Sequence, residues 1–400
     1  MNARRTISLM VLVAVSTTVT SLVMAQSFHI AAKATATIRP APDPRPCPTP
    51  PHDPPPPRCG RPVDLVICLD TSGSMTGLID SARAKLWDVV TELVRVEPNA
   101  RLRVGLLTYG TPTNSTAAQG WVYRHTDLTP DLDYIYARMM EMSTSGGDEF
   151  VGWVLNDAVH TMNWSNAPNA LKLIFVAGNE SADQCSTRFN FRDVAREARR
   201  KGIIINSIYA GYPNVGVNEG WEQVADHGGG EYFAIDQNAA TVQISTPHDQ
   251  VLIKLNAELN ATYIPFGDDG HVGAKRQLEQ DENAAKFGEQ TAASRVEAKA
   301  TTAYNNSAWD LVDAAAADAD LDFRKIKKES LPQPMRSMNP DEQRVYVQRT
   351  QQRRVDIQRQ IQQVSEEREV FLRRERVAKP SAQEGLDDAV KKAIRQQAGN

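Results

Sequence analysis

Apolar runs of strand length alternate with amphipathic stretches of helical period from Val63 to about Asp236. The pattern predicts strands at Val63–Leu69, Arg101–Tyr109, Trp121–Leu128, Leu171–Val176, Ile203–Tyr209 and Glu231–Ile235. It predicts helices at Leu78–Val96, Leu132–Met142, Phe150–Met162, Phe191–Lys201 and Gly220–His227. Strands and helices that alternate in this way form a mostly parallel sheet covered on both faces. We therefore predict an α/β fold: a doubly wound, Rossmann-like central sheet flanked by helices, with the third strand as an antiparallel edge.

The chain beyond Thr241 is rich in Ala, Gln, Glu, Arg and Lys and predicts a C-terminal helical region. A helix at Val242–Leu259 is expected to pack on the domain as its last helix. Further helices are predicted at Leu278–Thr302, Ser307–Asp320, Asn339 to about Val377, and Asp387–Gln397. Asn339-Pro340-Asp341-Glu342 has the features of a helix start, with a cap, an early proline and acids near the positive end of the dipole.

The long helix after Asn339 carries one interrupted heptad seam. Its apolar members are Val347, Ile357, Ile361, Val364 and Phe371, and its interruptions are Thr350, Arg354 and Arg368. This pattern predicts a weak coiled coil or helical hairpin that supports self-association only modestly. The alternative is a helix that docks its apolar stripe on the same protein.

The N-terminus has the pattern of a secretory signal. Arg4-Arg5 precede an apolar stretch from Ile7 to Val23, and Val23-Met24-Ala25 offers small residues for cleavage before Gln26. The sequence therefore predicts an exported protein, periplasmic or secreted to the cell surface. Because the stretch is of near-spanning length, an uncleaved membrane anchor is the competing interpretation, and membrane association is expected only in that case.

A proline-dense segment follows and ends at Pro62. The run Pro54–Pro57 favours polyproline II, which acts as a semi-rigid spacer. Cys47 and Cys59 lie in this segment and either pair in an oxidising compartment or remain free thiols. Cys68, inside the first predicted strand, is expected to be a buried core residue.

Composition and charge exclude some function classes. The 400 residues carry 45 Lys and Arg against 49 Asp and Glu, a formal net charge of −4. Nucleic-acid binding needs a basic patch, and this balance gives no support for one.

One loop carries the main candidate chemistry. Asp70-Thr71-Ser72-Gly73-Ser74 follows the first predicted strand directly, at the edge where such sheets bind their ligands. A carboxylate and two alternate hydroxyls offer three hard oxygen ligands, which suits a cation such as Mg²⁺. An Asp-x-Ser-x-Ser motif between a buried strand and a helix resembles the metal-ion-dependent adhesion site of von Willebrand factor type A (VWA) domains. The resemblance covers the whole alternating region, a little under half the chain.

The resemblance implies two further loops, and both depart from the family pattern. The family's second loop carries a Thr after a Gly-Gly pair, whereas this chain has Asp148 after Gly146-Gly147. The third loop usually supplies an Asp after a buried strand, and Gly178 stands at that position. Asp148 adds an acid in the second loop where Gly178 removes one from the third, so we predict a site with the usual charge and an altered ligand arrangement. Its predicted ligand residues are Asp70, Ser72, Ser74, Asp148, Asn179 and Glu180, the last two reaching the ion directly or through water. Glu149 is expected to be a surface residue on the rim.

The resemblance implies metal-dependent protein binding. The expected cofactor is a divalent cation, Mg²⁺ first with Ca²⁺ or Mn²⁺ as alternatives. The expected partner is a protein that presents an acidic side chain to an open coordination position. No Gly-x-Ser-x-Gly elbow surrounds Ser72 or Ser74, so we expect no enzymatic activity. The alternatives are a metal-assisted hydrolase, in which the cation is a Lewis acid, and a scaffold with a vestigial metal site that acts through its C-terminal helices.

The predicted organisation has five parts: a signal peptide (1–25), a Pro-rich linker (26–62), a VWA domain (63–260), a mixed helical and loop region (261–335), and a helical end with a short coiled coil (336–400).

Overall fold

The computed structural model describes residues 60–184, 187–235, 244–378 and 385–398. The predicted signal segment, residues 26–59 of the Pro-rich linker, and Cys47 and Cys59 lie outside the described residues. Within them, no helix is both long enough and apolar enough to cross a bilayer.

A six-stranded sheet forms the centre of the molecule. Its strands are β1 (Pro62–Asp70), β2 (Arg101–Tyr109), β3 (Tyr123–Thr129), β4 (Leu171–Gly178), β5 (Ile203–Ala210) and β6 (Gly229–Ile235). The spatial order is β3-β2-β1-β4-β5-β6, with β3 antiparallel to β2 and the other neighbours parallel. The fold-class prediction is confirmed, and β1, which ends in Asp70, lies inside the sheet.

Helices cover both faces of this sheet. The chain forms α1 (Thr76–Val96), α2 (Leu132–Met140), α3 (Val151–Thr161), α4 (Phe191–Arg200), α5 (Pro213–Asn218) and α6 (Trp221–Gly228). One apolar core joins the sheet to α1 and α2, and a second joins the opposite face to α3, α4 and α6. Side chains of β1 alternate between the two cores because successive residues of a strand point to opposite faces. Cys68 is buried as a free thiol in the second core, as predicted.

The C-terminal region is helical. Its helices are α7 (Asp249–Asn260), α8 (Gly270–Lys286), α9 (Glu289–Lys299), α10 (Leu311–Ala317), α11 (Gln333–Arg336), α12 (Pro340–Ala378) and α13 (Leu386–Ala398). The single helix expected over Leu278–Thr302 is two helices, because Gly288 adopts a left-handed φ of 110° between them.

The helix expected at Val242–Leu259 corresponds to α7, which begins at Asp249. α7 packs mainly against α9 and α12, whereas α13 packs along α1 and against β5 and β6. Ala389, Ala393 and Ile394 of α13 are fully buried in the first core. The helix α13 therefore covers the same face of the sheet as α1.

Candidate metal centre

The end of β1 positions the first loop as predicted. Asp70 is fully buried, and its Oδ1 accepts a 2.7 Å hydrogen bond from the backbone N–H of Ser72. The Ser72 and Ser74 hydroxyl oxygens lie 3.4 Å apart. The backbone N–H of Met75 donates to the Ser72 carbonyl at 3.1 Å, which turns the chain into α1. The three oxygen-bearing side chains therefore lie together on one tight turn.

Two glycines let neighbouring backbones approach this turn. Gly110 follows β2 with a φ of +83°, and a Cβ there would lie 2.7 Å from Asp70 Oδ1. A Cβ on Gly147 would lie 2.4 Å from the Gly110 carbonyl oxygen. Thr71 donates both its N–H and its hydroxyl to the Tyr109 carbonyl at 2.9 Å, and its own carbonyl accepts from Ser145 N–H at 3.1 Å. The first two loops are thus held to each other by backbone contacts.

The acid that faces Asp70 is Glu149. Its side chain is buried, with 4% exposure, so the expectation of a surface residue on the rim was wrong. Gln184 Oε1 accepts from the Glu149 backbone N–H at 3.0 Å and ties the loop to the segment after β4. Asp148, the predicted ligand, is exposed. The two acids are adjacent in an irregular loop, where no periodicity tells which side chain points inward.

Burial and nearby negative charge raise the pKa values of two groups at this site, Asp70 and Tyr109. The pKa of Asp70 lies well above its usual range, first because the group is buried and also because the nearby Glu149 carboxyl repels its charge. The pKa of the buried Tyr109 hydroxyl is raised by burial and by the same two carboxyls. In both groups burial is the larger cause, and the nearby negative charge adds to it.

Three buried oxygens at the site make no hydrogen bond within the described part of the chain. They are Asp70 Oδ2, Glu149 Oε2 and Asn179 Oδ1. Asn179 Nδ2 donates to the Ser74 hydroxyl at 2.9 Å, which joins the third loop to the first. Buried oxygens without a donor are costly, and together with the two serine hydroxyls they form the hard-oxygen donor set that divalent cations bind. In the described segments, no group of three or more His, Cys, Asp and Glu residues is placed to hold a metal. Any ion here would therefore depend on hydroxyl and amide oxygens as well as on the two carboxyls.

Gly178 has a steric reason to lack a side chain. A Cβ there would lie 2.4 Å from the Tyr109 hydroxyl oxygen and 3.0 Å from the Trp221 ring. The Tyr109 hydroxyl donates to the Ala177 carbonyl at 3.0 Å and so fills the space beside the end of β4. Glu180 is exposed, and its carbonyl accepts from Trp221 Nε1 at 2.7 Å. The structure thus brings Asp70, Ser72, Ser74 and Asn179 together with Glu149, and leaves the Asp148 and Glu180 side chains at the surface.

A comparison with protein families decides the identity of this region, since residues 64–247 match the model of the von Willebrand factor type A domain. The chain contains a VWA domain. No curated protein gives a significant match to the chain.

Several solved structures resemble the VWA domain at low sequence identity. The SpRpn10 VWA domain matches with a TM-score of 0.34 and 13% identity, over 43% of this chain and 87% of that one. Proximal thread matrix protein 1 from the mussel byssus, solved with a zinc-occupied MIDAS motif, matches with a TM-score of 0.32 and 11% identity, over 44% of this chain and 42% of that one. The pilus adhesin SpaC from Lactobacillus rhamnosus GG matches with a TM-score of 0.35 and 12% identity, over 53% of this chain and 33% of that one. Likenesses at this level carry no functional assignment for this VWA domain.

Proposed function

We propose that the VWA domain binds a divalent cation, with Mg²⁺ as the leading candidate. The bound cation would hold a carboxylate of a partner protein. The observation that carries this proposal is the set of buried, unpartnered oxygens on Asp70, Glu149 and Asn179 beside the Ser72 and Ser74 hydroxyls. A cation would neutralise the two carboxyls that otherwise repel each other.

In this proposal Glu149, rather than Asp148, supplies the second carboxylate. Glu149 is buried against Asp70, whereas the Asp148 side chain faces solvent. Asn179 is held toward the site by its bond to Ser74. Glu180 remains a rim residue with direct access to a bound partner.

We further propose that the protein is an exported binding module and not an enzyme. Two histidines that could serve as a base are engaged with other side chains. His125 Nε2 lies 2.9 Å from the Thr108 hydroxyl, and His160 Nε2 lies 2.8 Å from Glu197. Export rests on the N-terminal sequence alone.

Calorimetric titration with Mg²⁺, Ca²⁺ and Mn²⁺ tests the proposal. The wild-type protein is expected to bind at least one of these ions, and Asp70→Ala is expected to lose that binding while circular dichroism shows the fold intact. Equal heats from the two folded proteins would contradict it.

A further inference from the structure

A polar cavity lies where the C-terminal half of α12 meets the VWA domain. Helices α1, α9, α12 and α13 line it, and its volume of about 50 Å³ leaves room for a few water molecules. The cavity is not closed off from solvent, and Arg95 on its wall has a side chain that is 51% exposed. Solvent protons therefore reach the ionisable groups on its walls.

Each helix that lines the cavity contributes charged groups to its walls. The acid of α9 is Glu297. Helix α8 also packs on α9, but its Asp281 is bound to Arg295 and Lys299 instead. Both signs of charge therefore face Glu297 from the neighbouring helices. Those of α1 are Lys85, Asp88, Glu92 and Arg95, and those of α12 and α13 are Arg368, Glu369, Arg376 and Lys391.

Glu297 shares the guanidinium of Arg368 with a second acid. Arg368 Nη1 donates to Glu297 Oε2 at 3.2 Å, whereas its Nε lies closer to Asp249, at 2.7 Å. Burial raises the pKa of the Glu297 carboxyl to about 7, the charge of Arg368 opposes this, and the charge of Asp88 adds to it. Burial would also raise the pKa of Asp88, but the charges of Lys85 and Lys391 hold it below its usual range. Asp88 therefore stays ionised where Glu297 gains or loses its proton.

A second titratable group faces the same half of α12 from the start of α7. Nδ1 of His248 lies 3.5 Å from Glu367 Oε2, and the histidine ring meets Phe371 edge-on with the ring centroids 6.4 Å apart. The contact with Glu367 is an ion pair only when the imidazole is protonated, and histidines change their charge between pH 5 and pH 8. The next residue, Asp249, is already bound to Arg368. A fall in pH therefore strengthens the contact of His248 with α12.

We propose that the C-terminal half of α12, residues 365–378, is a pH-sensitive latch that is docked on α1, α7 and α9 when Glu297 is neutral and His248 is charged, and that loosens as the pH rises. Loss of the two protons acts in one direction. It places a second buried negative charge beside Asp88, and it removes the positive charge beside Glu367. The latch involves none of the candidate cation ligands. It makes the attachment of the helical region to the VWA domain depend on pH.

Hydrogen exchange followed by mass spectrometry at pH 6 and pH 8, corrected for the intrinsic exchange rate at each pH, tests the latch. Protection of residues 365–378 is expected to be about tenfold lower at pH 8, because docking raises the pKa of Glu297 from its ordinary 4.5 to about 7. Protection of residues 340–352, at the other end of α12, is expected to change by less than about twofold, because opening of one segment leaves the rest of the helix protected.

Glu297→Gln separates the latch from an ordinary ion pair. The carboxamide mimics the neutral acid, so protection of residues 365–378 at pH 8 is expected to rise close to the wild-type value at pH 6. If Glu297 were only the ion-pair partner of Arg368, the same substitution would lower protection at both pH values. Adding His248→Asn is expected to remove the remaining difference between the two pH values. Glu289→Gln, at an exposed position of the same helix, is the matched control and is expected to behave as the wild type does.

Three results would overturn the latch. The first is equal protection of residues 365–378 in the wild type at the two pH values. The second is an equal fall in residues 340–352 at pH 8, since the change would then belong to the whole molecule. The third is lower protection of residues 365–378 in Glu297→Gln at pH 8, or a pH dependence that persists in Glu297→Gln/His248→Asn, since other interactions would then govern the docking.

Discussion

At the residue scale, Gly178 explains why this site has no carboxylate at the end of β4. The space that a side chain would need is filled by the Tyr109 hydroxyl and the Trp221 ring. The acid lost here is matched by the buried Glu149 on another loop. The exchange of position therefore has a packing reason, and in the proposed site it is also a change of ligand.

Gly178→Ala is expected to destabilise the protein by about 1–3 kcal/mol, because even a methyl group overlaps Tyr109. Urea unfolding measures the change. Gly73→Ala is the control on the same site, since the nearest atom to its Cβ would be 3.8 Å away, and it is expected to change stability by less than about 0.5 kcal/mol. Equal effects of the two substitutions would contradict the packing explanation.

His125 gives the protein a dependence on pH. Burial first, and then the charge of Arg138, lowers its pKa from 6.5 to about 4. A histidine that is harder to protonate when folded stabilises the protein fully above pH 6.5, and this contribution is lost as the pH falls toward 4. Between pH 7 and pH 5, the titration of this histidine is expected to lower the free energy of unfolding of the wild type by about 2 kcal/mol.

Urea unfolding at the two pH values checks this expectation. His125→Asn should lack that part of the pH dependence, and His271→Asn, at an exposed position, should retain it. A His125→Asn protein with the wild-type pH profile would show that the histidine is not the titrating group.

At the scale of elements, the stripe on α12 is used within the chain. Ile357 and Ile361 pack in one core with Leu252 of α7 and Val296 of α9. The two arginines that interrupt the heptad pattern are buried. Arg354 Nη1 lies 2.6 Å from Asp310, and Arg368 Nε lies 2.7 Å from Asp249. Two of the three interruptions therefore form ion pairs that fix α12 on its neighbours.

Arg354→Met is expected to destabilise the protein by about 3–5 kcal/mol, because it leaves Asp310 buried without its cation. The adjacent Arg353→Met changes an exposed side chain and is expected to have an effect below about 0.5 kcal/mol. Denaturant unfolding compares the two. Similar stabilities would mean that α12 does not dock as described.

Helices and strands with strong periodicity could be predicted from the sequence, whereas the elements against which they pack could not. The strand that ends in Asp70 and its neighbours follow from apolar runs of strand length, so the sheet was predictable. The apolar stripe of α12 was also visible, but periodicity does not say whether a second chain or the same chain covers it. Which of Asp148 and Glu149 is buried could not be predicted for a related reason, since side-chain direction in an irregular loop depends on tertiary packing.

At the scale of the whole molecule, the two ends of the described chain share one core. Gln397 of α13 and Asn206 of β5 exchange side-chain hydrogen bonds of 2.7 and 3.1 Å. The Arg61 side chain before β1 donates to the Ala398 carbonyl at 3.0 Å. Arg295 of α9, which is buried, binds Asp133 of α2 at 2.7 Å. The helical region and the VWA domain are therefore expected to unfold together.

Ile394→Ala is expected to destabilise the protein by about 2–5 kcal/mol and to reduce amide exchange protection in β5 and β6, although α13 is distant from them in sequence. Asp388→Ala, exposed on the same helix, is expected to cost less than about 1 kcal/mol. Hydrogen exchange followed by mass spectrometry reads both effects. Unchanged protection of β5 and β6 in Ile394→Ala would show that α13 is not part of their core.

The central claim is that Glu149 and Asp70 hold the cation. Calorimetric titration with Mg²⁺ of Glu149→Gln beside Asp148→Asn tests it most directly, since the two substitutions are adjacent and chemically alike. The account predicts that Glu149→Gln weakens binding by tenfold or more, equivalent to about 1.4 kcal/mol, and that Asp148→Asn binds within about twofold of the wild type. The reverse order, or equal binding by both variants, would contradict it.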